Sequence, residues 1–197
     1  MPCDRAKYAS TSCQVINCNS IAFHPSSFIP HPYFFQFRAQ ENVIIFIIDV
    51  AGKAVPLGAV DLNQVFKTPN PIIGVVHLLP LPTSPRWGGS LKAVIDRAEQ
   101  EATALAAGGV DGIIIENFFD APFPKDQVDP AVVSAMTVVT QRLQNLVTLP
   151  IGLNVLRNDA HSAIAIAACV QAQFIRVNVW TGIMATDQGL IEGRAHE

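Results

Sequence analysis

The sequence has few charged residues and none of the basic clusters that bind nucleic acids. Charged residues make up 15% of the 197 positions, and the formal net charge is −3. Because lysine and arginine are not gathered in any segment, we expect no nucleic-acid surface. Half of the residues are hydrophobic. That proportion is typical of a globular domain with a well-buried core and excludes a disordered chain.

Long apolar runs and secretory signals are also missing. No segment reaches the roughly 18 consecutive apolar residues that suggest a membrane-spanning helix. The stretch NVIIFIIDV (42–50) suits a strand but is far too short for a bilayer. A charged start, an apolar run and a small-residue cleavage site do not follow one another near the N-terminus. We therefore expect any membrane association to be peripheral and mediated by another protein.

Cysteine is scarce, and its spacing is that of neither a zinc site nor a disulfide framework. The four cysteines are Cys3, Cys13, Cys18 and Cys169. The spacings among the first three match no common zinc pattern. Cys169 lies in the apolar segment AIAIAACVQ, which predicts a small buried side chain rather than a nucleophile. This usage favours a reducing compartment.

Residues 1–60 differ in composition from residues 61–197. They hold eight of the 15 aromatic residues and carry a net charge of +1, against −4 for the remainder. Within them, FHPSSFIPHPYFFQF (23–37) alternates prolines with aromatics, which suits neither a helix nor a central strand. We predict an N-terminal extension outside the fold at 1–60 and a domain at 61–197. An organelle transit peptide is the alternative interpretation of the extension.

From residue 70 onward, apolar strands alternate with amphipathic helices. The predicted strands are PIIGVVHLL (71–79), VDGIIIEN (110–117), PIGLNVL (150–156) and FIRVNVW (174–180). Each strand is apolar on both faces, as in a parallel sheet covered by helices. Ser90 and Asp129 are the predicted N-caps of the first two helices, and Gly108–Gly109 end the first.

The order βαβαβαβ predicts the α/β class, with a parallel sheet and right-handed crossovers. An open doubly wound sheet and a TIM-type (βα) barrel both fit this order. No glycine-rich phosphate loop follows a strand, which weakens the dinucleotide-binding version of the open sheet. In either architecture the functional site lies at the carboxyl ends of the strands.

Polar residues collect at those ends in all four predicted strands. A carboxylate beside a histidine is suited to general acid–base chemistry, and arginine and amide side chains bind anions and polar ligands. The predicted catalytic residues are Glu116, His77 and Asp120. The predicted ligand-binding residues are Asn117, Asn154, Arg157, Asn158, Arg176, Asn178 and Asp187. No spacing identifies a metal site, and the sequence specifies no cofactor.

Each of these residues also has a structural interpretation. Arg176 lies between apolar residues and needs a carboxylate, so Glu116 and Arg176 are also candidates for a structural ion pair. His77 is also compatible with a core histidine, Asp120 with a turn residue and Asp159 with a helix N-cap.

Four long motifs resemble the BtpA family of photosystem I biogenesis proteins, a BtpA/SgcQ-like TIM-barrel family. They are GVVHLLPLPTSPRWGGS, AGGVDGIIIENFFDAPFPKD, IGLNVLRNDAHSAIAIA and FIRVNVWTGIMATDQGLIEGRAHE. The resemblance runs without a gap from about Asp61 to Glu197 and places the start of the family domain near Val60. All the site residues predicted above fall within these motifs, as do Asp159, Gln188 and Glu192.

The resemblance implies a TIM barrel that supports the accumulation of photosystem I reaction-centre proteins in cyanobacteria. It implies an extrinsic protein on the cytoplasmic side of the thylakoid membrane, with reaction-centre proteins or their assembly intermediates as partners. The alternative is a barrel enzyme acting on a small polar or phosphorylated metabolite at the strand ends.

A complete barrel of this type has eight strands and about 250 residues, whereas four strands are predicted here. We therefore expect the N-terminal half of a barrel, with the C-terminal half barrel as its missing partner. We also expect unpaired edges on the first and fourth strands, and a loop or helix after the fourth.

Overall fold

The computed structural model describes residues 62–197 and, for the main chain alone, three short strands before them. These strands are β1 (Val15–Asn17), β2 (Ile44–Ile48) and β3 (Ala54–Pro56). The short helix α1 (Leu62–Phe66) follows. The remainder of the predicted extension lies outside the described residues.

Four parallel strands alternate with three long helices, as the sequence predicts. The strands are β4 (Ile72–His77), β5 (Gly112–Glu116), β6 (Ile151–Asn154) and β7 (Phe174–Val177). The helices between them are α2 (Leu91–Ala107), α3 (Pro130–Leu146) and α4 (Ala160–Val170). This is an α/β fold of the (βα)-repeat type, with part of a barrel present.

The predicted helix ends are confirmed. The Ser90 hydroxyl accepts a hydrogen bond from Ala93 N at the start of α2, and the Asp129 carboxylate accepts one from Ala131 N at the start of α3. Helix α2 ends at Ala107, directly before Gly108–Gly109. Gly109 adopts a φ of 81°, a left-handed conformation that glycine tolerates without strain.

The two edges of the parallel sheet are paired, so the prediction of open edges is wrong. The strand order is β1-β4-β5-β6-β7-β2-β3. Strand β1 runs antiparallel to β4, and β2 runs antiparallel to β7. Main-chain groups at both edges therefore have hydrogen-bond partners, which reduces the tendency of a sheet edge to recruit another chain. The domain boundary at residue 60 stays a prediction.

The sheet separates two apolar layers. Side chains on one face, including Ile113, Leu153 and Ile175, pack against α2, α3 and α4 in the main core. The opposite face, here called the inner face, carries Ile73, Val75, Ile114 and Phe174. Phe66 of α1 packs on this inner face with its ring centroid 5.2 Å from that of Phe174. The part of the inner face that precedes the carboxyl ends of the strands is therefore apolar and is covered by α1.

Two features of the C-terminal part of the chain, in α4 and after β7, differ from prediction. A hairpin of β8 (Ile183–Thr186) and β9 (Gly189–Glu192) follows β7, where a loop or helix was expected. Cys169 is exposed, so the prediction of a buried thiol is wrong. Helix α4 is apolar on most of its surface, and its sequence therefore does not reveal which side faces the sheet. No helix in residues 62–197 is both long enough and apolar enough to cross a membrane.

Candidate functional site

The carboxyl ends of the parallel strands bring five polar residues onto the inner face. Side chains alternate along a strand, so His77 shares the face of Ile73 and Val75, and Arg176 shares that of Phe174. The register places His77 beside Glu116 and Glu116 beside Asn154. The five polar residues are here called the polar layer. They lie on the inner face, closer to the carboxyl ends of the strands than its apolar residues. The members of the polar layer are His77, Glu116, Asn154, Arg176 and Asn178.

Glu116 is the centre of the polar layer. Its Oε1 atom accepts hydrogen bonds from Arg176 Nη1 at 2.9 Å and from Asn154 Nδ2 at 2.9 Å. Its Oε2 atom lies 3.6 Å from His77 Nε2. The ion pair is buried, with 6% of the Glu116 side chain and 8% of the Arg176 side chain exposed. The predicted pairing of Arg176 with Glu116 is confirmed.

The charge of Glu116 is set by opposing effects. Burial alone would raise its pKa, because a carboxylate loses hydration when it enters the core. The neighbouring imidazole of His77, the positive charge of Arg176 and the amide of Asn154 outweigh burial and lower the pKa below 4.5. Glu116 is therefore a carboxylate at neutral pH, held in one orientation by Arg176 and Asn154.

His77 has a buried ring nitrogen without a hydrogen bond. Its Nε2 atom has no partner within hydrogen-bonding distance, although Glu116 Oε2 is the nearest acceptor at 3.6 Å. The imidazole stacks on Phe118, with ring centroids 4.4 Å apart, and meets the edge of Phe119. Buried polar atoms without partners are uncommon in folded proteins. A ring nitrogen next to a fixed carboxylate is suited to accept or donate a proton.

Asn178 and Asn158 tie the loop after β6 to the end of β7. Asn178 accepts from Asn154 Nδ2 at 3.2 Å and donates to the Arg157 carbonyl at 2.8 Å. Asn158 bonds both the carbonyl and the amide of Val179. The Arg157 guanidinium lies 5.7 Å from the Phe123 ring centroid, at the rim of the strand ends. Asn178 thus belongs to the polar layer, whereas Asn158 holds the loop in place.

Asp120 and Asn117 hold three loops together and lie outside the polar layer. Asp120 accepts from Leu81 N at 2.7 Å and from Asn117 Nδ2 at 3.1 Å. Asn117 in turn accepts from Leu156 N at 2.7 Å. Burial raises the pKa of Asp120, and the hydrogen bonds from Leu81 and Asn117 oppose that rise. The geometry gives this pair a positioning role between the loops after β4, β5 and β6.

The remaining predicted residues are not gathered at the polar layer. Asp187 is exposed in the turn of the β8–β9 hairpin. Asp159 caps α4 by accepting from Ser162 N, and it also accepts from Val128 N. The stack of Phe118 on His77 was not predicted, although Phe118–Phe119 directly follow the polar end of β5. Within residues 62–197, no three His, Cys, Asp or Glu side chains converge as a metal site would require.

The parallel strands and the helices between them make this chain a (βα)-repeat protein of the α/β class, with polar residues at the carboxyl ends of its strands. The chain matches the BtpA family over residues 68–197 and belongs to that family. No solved structure matches it.

Three relatives illustrate the range of the family. The chain is 80% identical over 137 residues to the Photosystem I biogenesis protein BtpA of Synechocystis sp., covering 70% of this chain and 48% of that protein. It is 52% identical over 127 residues to an uncharacterized protein of Pyrococcus furiosus, covering 64% and 48%. It is 34% identical over 131 residues to the sgc region protein SgcQ of Escherichia coli, covering 66% and 48%. The chain thus spans about half the length of these curated relatives.

Proposed function

We propose that this chain acts as the N-terminal half of a photosystem I biogenesis factor that supports accumulation of the reaction-centre proteins. The observation that carries the proposal is the 80% identity over 137 residues to a protein named for photosystem I biogenesis. In this proposal the partners are reaction-centre proteins or their assembly intermediates. The site of action is the cytoplasmic side of the thylakoid membrane, with the protein bound there as an extrinsic component.

A replacement experiment tests this function in the context of a whole relative. In Synechocystis lacking its BtpA protein, a chimera would carry residues 61–197 of this chain in place of the matching segment. We expect the chimera to restore photosystem I reaction-centre proteins, measured by immunoblot against a photosystem II reference. A chimera that accumulates normally but leaves those proteins at the level of the deletion strain would contradict the proposal.

A second candidate function is catalysis or ligand binding at the polar layer. The observation that favours it is the buried, unpartnered Nε2 of His77 beside the carboxylate of Glu116. In this alternative His77 transfers a proton to or from a small polar or phosphorylated metabolite, with the Glu116 carboxylate 3.6 Å from its Nε2 atom. Arg157 would bind an anionic group, because Arg176 is already paired with Glu116.

Substitutions in the same chimera distinguish the two candidates. If the polar layer performs chemistry, His77→Asn should abolish restoration of photosystem I while leaving the amount of chimera unchanged. If the protein is a non-catalytic assembly factor, His77→Asn should restore photosystem I as fully as the unsubstituted chimera does. Asp96→Asn, at an exposed pair on α2, is the matched control and should be without effect in both cases.

A further inference from the structure

A tight turn in the loop after β4 contains a threonine at a position that usually requires glycine. The turn spans residues 81–84, and Ser84 N donates to the Leu81 carbonyl at 3.0 Å. Thr83 adopts a φ of 73°. Because the ring of Pro82 holds its own φ negative, the positive φ at the next residue defines a type II turn. A β-branched side chain is strained in that conformation, which glycine adopts freely.

Both sides of the turn are tied to the loop after β5. Leu81 is fully buried, and its amide donates to Asp120 Oδ1 at 2.7 Å. On the other side, Arg86 Nη2 donates to the carbonyls of Phe119 and Ala121 at 3.0 and 3.1 Å. A strained backbone persists when the structure around it fixes the chain on both sides. These hydrogen bonds therefore maintain the conformation of the threonine.

The strain at Thr83 is not offset by contacts of its side chain within the chain. The residue is exposed, and among residues 62–197 its hydroxyl has no hydrogen-bond partner. Glycine would form the same turn without strain. Compared with glycine, threonine adds only a hydroxyl and a methyl group at the surface. Strained residues of this kind are concentrated at sites that bind something.

The surface around Thr83 is rigid and uncharged. Residues 79–85 (LPLPTSP) include three prolines and no charged side chain. Such a preorganised surface loses little conformational entropy on binding. Thr83 lines neither of the cavities, of about 750 and 500 Å³, that open beside α4. These features suit an uncharged segment of a protein, whose main-chain groups can bond the hydroxyl, better than an anionic ligand.

We propose that Thr83 contacts an uncharged segment of the protein partner of the proposed photosystem I function. This inference rests on the proposed function and names a residue of this chain that meets the partner. The hydroxyl bonds a main-chain group of the partner, and the methyl group packs on its apolar atoms. The contact lies in the loop that follows His77 but outside the polar layer, so it does not depend on chemistry at Glu116.

Glycine substitution separates the role of the side chain from that of the turn. In the chimera that tests the proposed function, Thr83→Gly keeps the turn and removes the hydroxyl and the methyl group. We expect the restored amount of photosystem I reaction-centre proteins to fall at least about threefold, measured by immunoblot against a photosystem II reference. Thr83→Ser keeps the hydroxyl and should stay within about twofold of the unsubstituted chimera.

The matched control is Gln171→Gly. Gln171 is exposed and has a φ of 56°, but it follows α4 at the amino end of β7, away from the loops at the carboxyl ends of the strands. This substitution relaxes a similar backbone conformation and should leave restoration unchanged. In urea, neither glycine variant of this chain should unfold at a lower midpoint than the parent, because glycine accepts a positive φ.

The possible results separate the inference from the proposed function. Full restoration by Thr83→Gly would overturn the inference while the proposed function stands. A lower urea midpoint for Thr83→Gly would also overturn it, because the side chain would then serve the fold. The same conclusion would follow if Gln171→Gly or Thr83→Ser lost as much restoration as Thr83→Gly. Failure of the unsubstituted chimera would reject the proposed function itself, and the inference with it.

Discussion

Arg176 and Glu116 form a buried ion pair across two strands of the sheet, with Asn154 on the strand between them. Arg176 Nη1 lies 2.9 Å from Glu116 Oε1, and the Asn154 amide donates to the same oxygen at 2.9 Å. The three side chains come from β7, β5 and β6, so the pair depends on the parallel register. A buried carboxylate with two donors is held far more rigidly than an exposed one.

Removing the charge of Glu116 should destabilise the fold strongly. In Glu116→Gln the guanidinium of Arg176 stays buried beside a neutral amide. We expect the free energy of unfolding to fall by about 3–5 kcal/mol, the range for a broken buried pair. Urea unfolding followed by circular dichroism measures this loss. Asp96→Asn breaks the exposed pair with Lys92 and should change stability by less than about 0.5 kcal/mol. Equal effects of the two substitutions would be incompatible with a buried pair.

The contribution of Glu116 should depend on pH in one direction. Folding lowers its pKa below 4.5, so the folded state favours the ionised carboxyl more than the unfolded chain does. The stabilisation is therefore complete above about pH 4.5 and is lost as the pH falls through the lower folded pKa. We expect the stability difference between the parent chain and Glu116→Gln to be constant near neutral pH and to shrink in acid. A difference that grew in acid would show that the pKa is raised instead.

Asn117→Asp should create a pH-dependent defect in the contacts between loops. The new carboxylate would face Asp120, whose Oδ2 now accepts from Asn117 Nδ2 at 3.1 Å. We expect the free energy of unfolding at neutral pH to fall by about 1–3 kcal/mol, the range for a buried acceptor that loses its donor. Acidification should recover part of that loss, because one of the two carboxyls then takes up a proton. Gln100→Glu on the exposed side of α2 is the control. Urea unfolding at several pH values provides the measurement, and a pH-independent loss would contradict the prediction.

Gly152 should be essential for packing on the inner face. A Cβ atom at this position would lie 2.2 Å from the ring of Phe174, on the neighbouring strand. We expect Gly152→Ala to reduce the free energy of unfolding by about 1–3 kcal/mol through overpacking. The control Gly88→Ala places its methyl group in open space and should be nearly neutral. In a chain that already carries Phe174→Leu, Gly152→Ala should lower the free energy of unfolding by less than it does in the parent chain, because the smaller side chain relieves the overlap. A fully additive double variant would contradict this explanation.

The strands and helix ends were predictable because their signals are local. Continuous apolar runs identify buried strands, and Ser90 and Asp129 act on amides within their own helix turns. The pairing of Arg176 with Glu116 was also predictable, since a guanidinium flanked by apolar residues needs a carboxylate nearby. The positioning role of Asp120 was not predictable from the sequence. Leu81, whose amide it accepts from, lies 39 residues away, and the two residues come together only when both loops are folded. The β8–β9 hairpin was missed because its strands are short and mostly exposed.

The measurement that most directly tests whether the Glu116–Arg176 pair organises the inner face is a double-mutant cycle. Urea unfolding of the parent chain, Glu116→Gln, Arg176→Met and the double variant gives the coupling free energy. The predicted result is a double variant that loses at least about 1 kcal/mol less than the sum of the two single losses, since neither partner is then left buried alone. Additive losses would contradict the account, because they would mean that the two side chains stabilise the fold independently.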